Sequence, residues 1–167
     1  MSHDISLFFP HAEFPAQAWY DVLGGLRSDD CDVSFDDDAA AAEHGGIKEC
    51  SLAADGTLIS VSVYSFAREP SECAPAGTHW RATVSTGMGR SGLAWWLQHA
   101  IPYHALVYFP GVTVHDWQYH VGRSVADSSW ASPESWLAFS EKRLWRMGPK
   151  QALVDHGLFH PDGRLRF

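Results

Sequence analysis

Positive charge is scarce in the first half of this chain. Residues 1–80 hold three bases, Arg27, Lys48 and Arg68, against fourteen acids, a balance of −11. Residues 81–167 hold nine bases and six acids, a balance of +3. A nucleic-acid binder needs a basic surface to displace counterions, so no nucleic-acid partner is expected. The expected partner is a cation or a basic protein. Long apolar runs are also missing: none approaches the ~20 residues that span a bilayer. The opening "MSHDISLFFPHAEF" carries neither a basic leader region nor a small-residue cleavage site. The reading is therefore a cytoplasmic protein with no membrane partner.

Cysteine is sparse as well. Cys31, Cys50 and Cys73 form no C-x-x-C pair, and an odd number of thiols suits a reducing compartment. All three are expected to be reduced and structural. No H-E-x-x-H and no Cys/His pair of zinc spacing occurs, so no metal is expected from local patterns. A site assembled from distant histidines and aspartates leaves no trace in such spacing. "HDWQYH" places His115 and His120 five apart, which on a strand turns them to opposite faces. The serine of "TGMGRSG" stands outside the G-x-S-x-G elbow, so no nucleophile is marked. No catalytic residue, cofactor or enzymatic activity is expected.

One motif invites a cofactor reading. Gly87, Gly89 and Gly92 spell G-x-G-x-x-G between a strand-like and a helix-like run. The preceding strand "HWRATVST" (79–86) alternates polar and apolar residues, whereas a dinucleotide-binding strand is continuously apolar. No acid stands about twenty positions downstream to hold a ribose. The glycines are read as a tight strand-to-helix turn. Arg90 and Ser91, at the start of that helix, stand as candidate anion-binding groups.

What is present in quantity is apolar and aromatic: 46% hydrophobic residues and eight Trp in 167 residues. That is enough for one packed domain, residues 1–167. The patterns predict strands at 5–9, 31–36, 79–86, 104–114 and onward over 114–122. They predict a hairpin over 47–67 around Asp55-Gly56. Helices are predicted at 15–28, 37–46, 91–100 (ended by Pro102), 132–148 and 149–157. The expected fold is α+β, a mainly antiparallel sheet of five to six strands packed against helices. Most tryptophans belong to the core, leaving one or two as binding anchors.

The remaining feature is "SDDCDVSFDDD", six aspartates in eleven residues. One reading is a solvated edge that prevents strand-to-strand aggregation. The other is a docking surface for a basic protein, comprising Asp29, Asp30, Asp32, Asp36, Asp37, Asp38 and Glu43. In overall character the chain, small, acidic, α+β and without catalytic motifs, resembles the immunity proteins of bacterial polymorphic toxin and contact-dependent growth inhibition systems. The likeness spans the whole chain and rests on no motif, so it carries over no functional residue. It implies a cytoplasmic protein that binds and neutralises a cognate toxin domain, a basic nuclease. The alternative is a small-ligand-binding protein or hydrolase using the Gly-rich 86–92 loop with nearby histidines.

Overall fold

The computed structural model describes residues 2–37, 46–87, 91–147 and 150–167. Seven antiparallel strands form one sheet in the order β2-β3-β4-β5-β1-β6-β7. They are β1 (Ser2–Phe9), β2 (Cys31–Asp36), β3 (Glu49–Ala54), β4 (Thr57–Ser65), β5 (Trp80–Gly87), β6 (Thr113–Asp116) and β7 (Ser129–Trp130). Five helices accompany them: α1 (Ala16–Gly24), α2 (Gly92–Tyr108), α3 (Trp117–His120), α4 (Pro133–Met147) and α5 (Lys150–Asp155). The α+β class and the antiparallel sheet are as the sequence pattern implied. The seventh strand, two residues long, is too short to leave a periodic signal.

The hairpin β3–β4 pairs Ala54 with Thr57 across Asp55-Gly56. Both turn residues have positive φ, 48° and 73°, the geometry that Asp-Gly tolerates best in a two-residue turn. In β2 the alternation is obeyed: Cys31 and Val33 are buried, while Asp32, Ser34 and Asp36 are exposed. Ser132 caps α4, its hydroxyl accepting from Ser135 N at 3.2 Å, and Pro133 occupies the first turn.

Three expectations fail. Pro102 does not end α2; the helix runs through it to Tyr108, and residues 104–108 are helical, not a strand. An interior proline costs a helix about 3 kcal/mol. Here burial offsets it, because α2 is the central helix: Leu97, Ala100, Ile101, Pro102 and Ala105 are buried beneath it against sheet and neighbouring helices. A short apolar run such as "ALVYF" does not by itself distinguish helix from strand. Nor do residues 114–122 form one strand. β6 stops at Asp116, whose carboxylate caps α3 by accepting from Tyr119 N at 2.9 Å. The reversal that precedes β6 depends on Gly111, at φ +81°, where a Cβ would stand 2.9 Å from Pro10 Cγ. The expected helix at 37–46 falls mainly outside the described residues.

One core joins the layers. Ile5, Leu7 and Phe9 of β1 pack with Trp19 and Leu23 of α1, Leu97 and Ile101 of α2, and Trp136 of α4. A satellite cluster of Leu144, Leu153 and Leu165 seats α4, α5 and the C-terminal segment together. Among the described residues, no helix is long and apolar enough to cross a membrane.

Candidate functional site

The predicted acidic surface lies at a sheet edge. Among the described residues β2 is an edge strand paired with β3 alone, and its outer backbone is partly blocked by its own chain: Cys31 exchanges hydrogen bonds with Ser28, Val33 N–H donates to Asp32 Oδ1 at 3.0 Å, and Val33 O accepts from Arg27. Asp29, Asp30, Asp32, Asp36 and Asp37 are all exposed around it. Asp38 and Glu43 lie outside the described residues. Several of these carboxylates meet bases of the same chain: Asp32 lies 3.9 Å from Arg27, Asp30 lies 3.6 Å from His156, and Asp37 pairs with Lys48. In each the carboxylate is solvent-facing, although His156 is half-buried, and such pairs are worth about 0–1 kcal/mol each.

Gly87 is the last residue of β5, and a Cβ there would meet nothing within 4 Å. Gly89 and Arg90, the centre of the expected turn and one of the two candidate anion-binding groups, lie outside the described residues. Ser91 is the N-cap of α2. Its hydroxyl accepts from Ala94 N at 3.1 Å and donates to Ala54 O at 3.3 Å, and its N–H donates to Thr57 Oγ1 at 3.1 Å. Its polar groups thus serve the fold.

The densest chemistry lies around β6, where the pleat sends neighbours to opposite sides of the sheet. Asp116 opposes Ile5 and faces the helices, whereas His115 opposes Ser6 and faces the other side. On the helical side, Asp116 is fully buried with Oδ1 3.1 Å from His3 Nε2 and Oδ2 3.0 Å from Arg143 Nη1. Arg143, 7% exposed, also donates to Gln118 Oε1 at 3.0 Å and lies over the Tyr119 and Phe139 rings. Burial alone would raise the Asp116 carboxyl. The His3 hydrogen bond, the Arg143 charge and the Tyr119 N–H outweigh it and hold it down at about 2. This cluster is shut off from solvent and ties β1, β6 and α4 together.

On the opposite side His115 is buried behind a cleft of about 500 Å³ that has Asp4, Cys73, Arg81, Trp117 and His120 in its walls. Trp117 Nε1 donates to Ser6 Oγ at 2.8 Å, and Arg81 Nε donates to the same oxygen at 3.2 Å. Because α3 turns the chain back after Asp116, the His115 and His120 rings come to 5.0 Å between centroids. The strand-based expectation of opposite faces is thus overturned: period-2 alternation ends where β6 ends. One ring nitrogen of each histidine and the Cys73 sulfur lie within 4.8 Å of one another. Burial, with His120 close by, lowers the His115 pKa to about 4, so its ring is neutral at physiological pH. The sequence pattern set His115 and His120 on opposite faces and read Cys73 as structural, so it did not join the three. Cys73 is some forty positions from the histidines, in the loop between β4 and β5, and only the tertiary fold joins them.

A second groove, of about 450 Å³, runs between α1 and α2, with Ala18, Val22, Leu26 and Tyr108 among its walls. Its lining is more aliphatic and brings together fewer groups able to ligate or transfer protons.

The three thiols are free, as the sequence implied. Burial pushes the Cys50 thiol up to about 12, and also raises Cys31 and, less buried in its loop, Cys73. A rise from 9 to 12 cuts the thiolate fraction about a thousandfold. A disulfide reagent should therefore modify Cys73 of the native protein first, reaching Cys31 and Cys50 only on unfolding, when three thiols titrate. Mass mapping of the labelled cysteines checks this; native labelling of Cys50 as fast as Cys73 would contradict it.

No family model matches this chain, and neither a curated protein nor a solved structure matches it.

Proposed function

We propose that this is a binding protein of the immunity type, a cytoplasmic inhibitor that docks a basic toxin domain, a nuclease, on its acidic sheet edge. One observation carries the reading. Among the described residues β2 is an edge strand, and Asp32 and Asp36 on it, with Asp29, Asp30 and Asp37 flanking it, present exposed carboxylates. Since Cys31 and Val33 already hydrogen-bond within the chain, docking rests on the carboxylates, which select a basic partner. The exposed ion pairs with Arg27, Lys48 and His156 do not argue against docking, because each is weak enough to be exchanged for a partner's Lys or Arg. The alternative of a small-ligand protein or hydrolase built on residues 86–92 gains little support, since Ser91 is engaged in capping α2.

The test pairs the protein with the toxin domain encoded beside it. Asp32→Lys, Asp36→Lys and Asp37→Lys together should slow association by about tenfold or more, because reversed charge removes the steering field. The wild-type on-rate should fall as salt rises, since screening at physiological ionic strength acts over about 8 Å. Stopped-flow or surface-based kinetics reads both. Neutralisation with unchanged on-rate and salt dependence would reduce the aspartates to a solvated edge.

A further inference from the structure

We infer that Cys73, His115 and His120 form a three-ligand site for zinc, with the fourth position open to the cleft. The first support is proximity. Ligand atoms around tetrahedral zinc stand about 3.5 Å apart, given metal–ligand bonds of about 2.0–2.3 Å. Here the sulfur and two ring nitrogens already lie within 4.8 Å of one another, so small side-chain rotations close the set.

The second support is the way the two rings are held. His115 Nδ1 is 2.8 Å from Ser129 Oγ, and His120 Nδ1 is 3.0 Å from Ser128 Oγ. Consecutive serines thus fix both imidazoles through the same nitrogen and leave Nε2 of each unengaged by them. For His120 the tautomer follows. The Ser128 hydroxyl has one proton, and it donates to Ser124 O at 2.7 Å. The oxygen must then accept from His120 Nδ1–H, which leaves Nε2 unprotonated and able to ligate. Histidine ligands of zinc are oriented in this manner, one nitrogen held by an outer partner and the other on the metal.

The third support is an unmet need. His115 is fully buried, and its Nε2 has no hydrogen-bond partner. A buried polar atom of this kind costs about 1–3 kcal/mol unless something satisfies it. A metal ion does so. The donor set selects the ion: one thiol and two imidazoles suit zinc, not the oxygen-seeking calcium or magnesium. Binding forms one S–Zn and two N–Zn bonds and releases the Cys73 proton to solvent.

The three ligands come from the β4–β5 loop, the end of β6 and the end of α3. Zinc would therefore pin the long loop to the sheet. With three protein ligands the fourth position takes water or a small anion, beside Arg81 and the buried, unpartnered Asp4 Oδ1 in the same cleft. The site lies on the outer sheet face at β6, and β2 is the opposite edge of the sheet, so it is independent of toxin docking.

The experiment titrates chelator-treated full-length protein with cobalt and zinc. One equivalent of cobalt should give the visible bands of a tetrahedral complex and a thiolate-to-cobalt charge-transfer band, both displaced by zinc. Cys73→Ser should abolish the charge-transfer band, and Cys73→Ser and His120→Ala should each weaken cobalt binding by more than about tenfold. Ser129→Ala keeps every ligand and should weaken binding by about 10–100-fold through loss of ring orientation. His79→Ala, on an exposed ring of the same loop, should leave binding unchanged. Circular dichroism confirms that each variant is folded. Zinc should also protect Cys73 from thiol reagents. A folded wild type that shows no charge-transfer band, or Cys73→Ser that binds cobalt as tightly as wild type, would overturn the site.

Discussion

Asp116→Ala is expected to destabilise the protein by about 3–5 kcal/mol, the largest single effect available outside the apolar core. The carboxylate is fully buried and faces two basic groups, His3 at 3.1 Å and Arg143 at 3.0 Å. It also accepts from Tyr119 N at 2.9 Å, closing the first turn of α3. Removal leaves the Arg143 guanidinium without its anion in a site where it is 7% exposed. The cost is that of an uncompensated buried charge, not of the ion pair itself. Adding Arg143→Met to Asp116→Ala should therefore restore about 1–3 kcal/mol. Urea unfolding of the two variants checks both numbers. A loss below about 1 kcal/mol for Asp116→Ala would mean that water reaches the cluster.

The same carboxylate gives the protein an acid limit. Its pKa in the fold is about 2, below the ordinary value of 3.8. A depressed carboxyl stabilises the fold fully above the ordinary value, and that contribution fades as pH falls toward 2. The shift corresponds to about 2 kcal/mol. Unfolding free energy should drop across that window in the wild type and drop less in Asp116→Asn.

Trp136→Ala is expected to cost about 3–5 kcal/mol, which for a chain of this size lowers the melting temperature by roughly 10 °C. The indole is completely buried and joins α4 to α2. It stacks on His99 at 5.2 Å between ring centroids, and its Nε1 donates to the His99 carbonyl at 2.8 Å. It also meets Trp130 edge-on at 5.0 Å. Alanine would leave a cavity between rings that cannot collapse into it. Trp136→Phe keeps most of the apolar volume and loses the hydrogen bond, so about 1–2 kcal/mol is expected. Calorimetry on both variants separates the cavity from the hydrogen bond; equal losses would mean that packing contributes little. Because α4 carries Arg143, the alanine variant should also loosen the Asp116 cluster.

The sequence by itself determined the α+β class, the β2 alternation, the β3–β4 hairpin and the capped start of α4. Each of these rests on local physics: side-chain period, the positive φ of Asp55-Gly56, and the hydroxyl of Ser132 meeting an orphan amide. The exposure of Asp29, Asp30, Asp32, Asp36 and Asp37 was legible for the same reason, since adjacent carboxylates have nowhere to go but water. Only the tertiary structure decided the rest. Pro102 stays helical because neighbours on several sides bury α2, and no window of sequence contains those neighbours. Arg143 carries no signal of its own in the sequence, and Asp116, twenty-seven positions earlier, meets it only in the interior. His115 and His120 converge because the strand stops after Asp116, and Cys73 joins them from the loop that precedes β5. Local propensity acts over a few residues, whereas such clusters are made by chain segments that only the packed sheet brings together.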